Sequence, residues 1–201
     1  MESKQRFDFL AELLEYPVAE RDIKPDLVSS FMEENSKAAT YLGLYFTELS
    51  DLSLSQQQEM FVRTFDMNPS CALEIGWHLF GEDYKRGELL AYLRGRMRSV
   101  GIEEGTELPD YLGNVLRLLG RWKTEEAAEF VKMFVNPALQ KIKKAMSELN
   151  TPYTHLFEAI DAVCSVEFPI SHSECYNLSR DDSAQLERSL LFPNIISETG
   201  K

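Results

Sequence analysis

The sequence predicts an all-α fold, a single-domain bundle of about eight or nine helices, on three observations. Apolar residues recur at three- and four-residue spacing along most of the chain. Alternating, strand-type runs are almost absent. Prolines and capping residues fall where one helical run gives way to the next, as at Pro17, Asn136 with Pro137, and Thr151 with Pro152. At 201 residues the chain fits one domain. A chain of that length buries roughly 70% of its unfolded surface, so the core needs neither disulfide nor metal.

Phe7, Leu10, Leu13 and Leu14 sit at helical spacing and stop before Pro17. Pro25 is placed as a first helical residue, with Leu27, Val28, Phe31 and Met32 behind it. After Asn35 the apolar set Tyr41, Leu42, Leu44, Tyr45, Phe46 and Leu49 continues the pattern, with Gly43 as a weak point or a close-packing site. Ser55 and Gln58 form a capping box opening a helix with Met60, Phe61, Val62 and Phe65. Asn68 caps and Pro69 starts the next helix, which ends near Gly81. Leu89, Leu90, Tyr92, Leu93 and Met97 follow, up to Gly101, and 103–107 is a polar loop. Pro109 starts a helix with Leu112, Val115, Leu116 and Leu119 inward, and Thr124 caps another with Ala127, Ala128, Val131 and Phe134. Asn136 with Pro137 and Thr151 with Pro152 start two more. Periodicity fails beyond Val166, so 1–165 is read as the helical domain and 166–201 as a polar, partly disordered tail. Within that tail 190–196 (LLFPNII) is apolar enough to dock on its own domain or on a partner.

The formal net charge of −12 repels nucleic acid and anionic lipid and favours cationic partners. Cys71, Cys164 and Cys175 are odd in number and form no CxxC pair, which argues against a disulfide framework or zinc site and fits a reducing cytoplasm. The N-terminus lacks a signal-peptide apolar core, and no run of apolar residues is long enough to span a membrane, so membrane insertion is not expected.

Functional residues concentrate in 65–87 (FDMNPSCALEIGWHLFGEDYKRG) and 107–112 (ELPDYL), which set carboxylates beside glycine, proline and aromatic residues. No Glu-x-x-His motif of a di-iron bundle precedes any histidine, and Glu74 with His78 is a single pair rather than a metal site. Gly76 and Gly81 have phosphate-loop spacing, but Glu82 and Asp83 stand where that loop needs Lys and Ser or Thr. No nucleophile elbow exists, so the protein is expected not to be an enzyme and to need no cofactor. The acids Asp66, Glu82, Asp83, Glu88, Glu107 and Asp110 flank turns rather than dot a helix face. If the two stretches meet, they line a groove of carboxylates over an aromatic floor, suited to a peptide with arginines followed by apolar residues. Trp77, Phe80 and Tyr84 share one face if their helix continues. Core packing is the ordinary fate of such rings, and a hydrogen-bonded structural role that of His78. Arg86 could be a local ion pair with Glu82 and Asp83.

Three motifs in this order resemble the NarJ branch of the TorD-like redox-enzyme maturation chaperones, the nitrate reductase delta-subunit group. They are Glu59-Met60-Phe61 leading to Phe65-Asp66, then Gly81-Glu82-Asp83-Tyr84-x-Arg86-Gly87, then Glu107-Leu108-Pro109-Asp110-Tyr111-Leu112. Trp77-His78-Leu79-Phe80 before the second motif is similar to members serving periplasmic or membrane-bound molybdoenzymes. Where the family usually has a proline and then an acid after the third motif, this chain has Gly113 and Arg117, which makes the lower edge of the groove less acidic. The resemblance implies a TorD-like helical fold and a cytoplasmic, system-specific chaperone. Its partner would be the apo catalytic subunit of a molybdenum-bis(guanine dinucleotide) enzyme, with that subunit's N-terminal leader, often twin-arginine. The chaperone would assist cofactor insertion and then leave. The expected peptide-binding set is Asp66, Trp77, His78, Glu82, Asp83, Tyr84, Arg86, Glu107, Pro109 and Asp110. Two other classes stay open: a nucleotide-binding or hydrolytic enzyme using His78 with Asp66 or Glu82, and an acidic adaptor without a groove. A monomer and a domain-swapped dimer also both stay open.

Overall fold

The computed structural model describes residues 2–18, 35–122 and 124–169, and among them every regular element is helical apart from one isolated β-bridge. The helix expected from Pro25 onward lies outside the described residues, as does 170–201 with its apolar 190–196 run.

Helix α1 (Ser3–Leu13) buries Phe7, Leu10, Leu13 and its neighbour Leu14, then unwinds ahead of Pro17. Helix α2 (Ser36–Ser50) starts where the Asn35 side chain accepts the Ala38 N–H at 3.0 Å. The Asn35 amide also donates to the Ala162 carbonyl at 2.9 Å, locking that cap onto the last helix. Gly43 has open space beyond it, so it is not a close-packing site. Helix α3 (Leu54–Phe61) is capped by Ser53 with Gln56, two residues before the expected Ser55 and Gln58 box. Both pairs have the capping spacing; the turn closed by the Leu52 N–H on the Leu49 carbonyl leaves Ser53 extended and ready to cap. The helix runs on as a π turn at Val62–Asp66.

The helix expected from Pro69 to Gly81 is two elements. Asn68 caps a 3₁₀ turn (Pro69–Cys71), 72–74 is not helical, and α4 (Ile75–Phe80) ends at Gly81 with φ of 59°. Helix α5 (Tyr84–Ser99) follows, and Gly101 closes it with φ of 73°. Pro109 does not begin a helix. It lies buried in a turn, and α6 (Leu112–Leu119) starts three residues later. Helix α7 (Thr124–Phe130) passes through a π turn (Val131–Val135) into α8 (Asn136–Met146) without a break, so Asn136 caps nothing. A proline inside a helix loses its i−4 hydrogen bond and crowds that carbonyl. The preceding π turn, in which the Asn136 N–H reaches back to Val131, widens the coil where Pro137 needs room. Helix α9 (Tyr153–Glu167) extends past the expected end of periodicity, and Phe168 beyond it is buried against Phe7 at 5.8 Å between centroids.

Two helix pairings carry the bundle, α2 with α9 and α1 with α6. The second is close because Gly120 lets α1 approach: a Cβ there would lie 3.0 Å from Lys4 Cα and Phe7 Cβ. A run of rings, Phe61, Phe65, Tyr153 and Phe157, joins α3 to α9 at centroid spacings of 5.0, 4.7 and 6.3 Å. Cys71 and Cys164 are buried free thiols. No helix among the described residues is long and apolar enough to cross a membrane.

Candidate functional site

The two special stretches of the chain meet through backbone. Residues 72–74 run antiparallel to 110–112: the Ile75 N–H donates to the Asp110 carbonyl at 2.9 Å and the Leu112 N–H to the Leu73 carbonyl at 2.7 Å. This pairing is why 72–74 leaves the helix despite ordinary helix formers at all three positions. Four backbone groups, two N–H and two carbonyls, are paired across the chain in this way.

Behind this bridge sits an ion pair. Gly81 turns the chain, the Asp83 carboxylate accepts the Lys85 N–H at 2.9 Å and caps α5, and the first turn of α5 then carries Arg86 to Asp110. Arg86 Nε donates to Asp110 Oδ2 at 2.9 Å. Asp110 has no solvent exposure, and its Oδ1 is buried without a partner. Gly76 makes the pair possible: a Cβ there would lie 2.5 Å from Asp110 Oδ2 and 3.1 Å from Arg86 Cγ. Tyr111 anchors the other side by donating its hydroxyl to the Leu14 carbonyl at 2.5 Å, and burial raises that phenol's pKa.

In front of the bridge lies an open cleft of about 930 Å³. Phe61, Phe65, Leu73 and Tyr111 form its apolar floor, and the half-exposed Tyr16 and Leu108 stand on its walls. Its charged residues are Glu15, Asp66, Glu74, Glu103 and Glu107 against Arg86 and Arg117. Arg117 is taken by Glu15, and Arg86 by Asp110. Asp66, Glu74, Glu103 and Glu107 have no ion pair with any described residue, so the cleft is anionic. Burial holds the Glu74 carboxyl above the usual range; nearby Asp110 and Glu107 add to this, while its own N–H and Arg86 oppose it.

Of the residues expected to bind a peptide, Asp66, Trp77, Arg86 and Glu107 line the cleft. Asp110 is no rim carboxylate: it is the buried partner of Arg86 and has no surface to offer. Pro109 is likewise buried. Glu82, Asp83 and Tyr84 are exposed at the corner between α4 and α5 and are not among the lining residues; Asp83 serves as a helix cap. Nor do Glu82 and Asp83 hold Arg86, which reaches Asp110 twenty-four positions on. Tyr84 does not share a helix face with Trp77 and Phe80, because their helix stops before Gly81 and Tyr84 begins the next one. Trp77 donates its indole N–H to the Pro69 carbonyl at 3.0 Å, Phe80 packs towards Phe134 at 6.4 Å, and Tyr84 is 73% exposed.

His78 does not line the cleft; its Nε2 is 2.7 Å from the Ala72 carbonyl and so carries the proton. Burial first, then Lys141 and Arg86, holds its pKa below the ordinary value, against the opposing pull of the Ala72 carbonyl. Neither Asp66 nor Glu82 bonds to it. Among the described residues no cluster of three or more His, Cys, Asp or Glu could hold a metal ion.

Sequence reasoning did not name Glu15, Tyr16, Glu74 and Glu103 as lining residues, and gave Phe61 and Phe65 as helix residues of the first motif without placing them in a groove. In sequence Glu74 stands out only as the helical neighbour of His78. The signal that marks it is its place between an apolar dipeptide and Ile75-Gly76, where an acid must be either paired or at an opening.

The family model described as nitrate reductase delta subunit matches residues 28–159, more than half of the chain. No curated protein matches the chain.

Proposed function

The chain belongs to the nitrate reductase delta subunit family, chaperones of molybdoenzyme maturation that bind catalytic subunits, and we propose that its anionic cleft is the seat for the N-terminal leader of one such subunit. The bound leader is a basic, partly apolar segment. Its cations pair with Asp66, Glu74, Glu103 and Glu107, and its apolar side chains lie over Phe61, Phe65, Leu73 and Tyr111. In this reading the protein acts in the cytoplasm, holds the apo-subunit of a molybdenum-bis(guanine dinucleotide) enzyme open for cofactor insertion, and delays its export. The observation that carries the proposal is the set of carboxylates left without a cation above an apolar floor. Charges left unpaired beside buried area favour a partner that supplies the opposite sign.

Calorimetry with a synthetic twin-arginine leader peptide tests this. A complex that must later come apart should form near the micromolar range, about 8 kcal/mol. The Glu74→Gln and Glu107→Gln double variant should weaken it about tenfold, and added salt should weaken it further. A silent titration, or one unchanged in the double variant, sinks the proposal.

A further inference from the structure

We infer that the segment held in the cleft carries a carboxylate as well as cations, and that Arg86 is the residue that reads it. This rests on the cleft being the leader site. Arg86 commits only its Nε–H, to Asp110 Oδ2. The two Nη amino groups donate to no described residue, and the side chain, one-fifth exposed, lines the cleft. The fork is held in place rather than waving in solvent. Its Nε partner is fully buried, and Gly76 fits against both members of the pair.

No other group on the cleft wall does this work. Arg117 is closed onto Glu15. Glu74 feels the charge of Arg86, yet the two form no ion pair. A uniformly cationic segment would lay its charge against a fixed guanidinium in a partly desolvated wall, where like charges repel strongly. A segment with one Asp or Glu among its cations avoids that repulsion and gains the paired, planar contact that guanidinium makes with carboxylate. A main-chain carbonyl or side-chain amide could also accept from the fork but would not gain the charge term.

The test uses the full chain and synthetic peptides with two arginines and several Leu and Phe, in which a single Asp is walked through the remaining positions. Each is compared with its Asn counterpart by calorimetry. On the unaltered protein, one position should favour Asp over Asn by about tenfold, the size expected of a charge-assisted pair. In Arg86→Lys the ammonium is spent on Asp110, and the Asp and Asn peptides should then bind alike at that position. This variant keeps a cation beside the buried carboxylate and so avoids the unfolding that Arg86→Ala invites. If Asp and Asn peptides bind alike at every position, the inference fails while the leader site stands. If the preference survives in Arg86→Lys, another residue reads the acid and the inference again fails. If no peptide binds the unaltered protein, both this inference and the leader site fall.

Discussion

The pairing of α2 with α9 and the corner where 72–74 meets 110–112 are both buried, but they are held in different ways. The two helices bury Leu42, Tyr45, Leu49, Phe157, Ile160 and Val163 in one core cluster. Stability there is spread over many interchangeable contacts. The corner instead depends on single, directional ones: two backbone hydrogen bonds, one ion pair and one glycine without which the ion pair has no room. A slab of the first kind tolerates volume-conserving swaps, though not the loss of a whole side chain. A corner of the second kind holds a charge in the protein wall at a fixed position, which a binding site requires, at a cost in tolerance.

The largest effect should come from the tolerant side. Phe157→Ala removes a fully buried ring and should cost about 3–5 kcal/mol in denaturant unfolding, yet leave leader affinity, measured well below Tm, within twofold. Gly76→Ala adds one methyl group and should cost about 1–3 kcal/mol by pressing on Asp110. Unlike the first variant, it should also weaken leader binding several-fold, because Asp110 sets the place of Arg86. If both variants moved affinity equally per kcal/mol of stability lost, the contrast between the two regions would be wrong.

The smallest effect is one of pH. With its pKa raised by burial, folded Glu74 keeps its proton at a pH where the unfolded chain has released it. The unfolded state then binds fewer protons, so stability falls as pH rises from the ordinary carboxyl range through the raised pKa. Glu74→Gln removes that loss. It should raise Tm slightly at neutral pH and leave it unchanged below the ordinary carboxyl range, a difference thermal melts across pH would resolve.

The helical class and most inward faces were legible because burial leaves a period in the sequence: Phe7, Leu10 and Leu14, or Leu112, Val115 and Leu119, can be read from spacing alone. The site was legible only as two stretches with unusual composition. That they meet through Glu74 and Tyr111 depends on long-range backbone pairing, which overrides the helix-forming tendency of 72–74 and leaves no local trace. The role of Asp110 was hidden for a similar reason. An acid beside a proline reads as exposed until its partner, Arg86, and the missing side chain of Gly76 are seen around it. At Asp83 a capping acid and a binding acid have the same letter, so the cap could not be read from sequence alone.

The π turn at the end of α3 decides what that helix can show to a guest. A tightly wound coil brings back every third or fourth side chain, and would swing Asp66 away from the side that Phe61 and Phe65 occupy. Winding one residue loosely brings the fifth side chain round as well, so two rings and a charge all border the same opening. Grease and charge are thus mounted on one short coil, and a single lost residue there would part them like a slipped gear tooth.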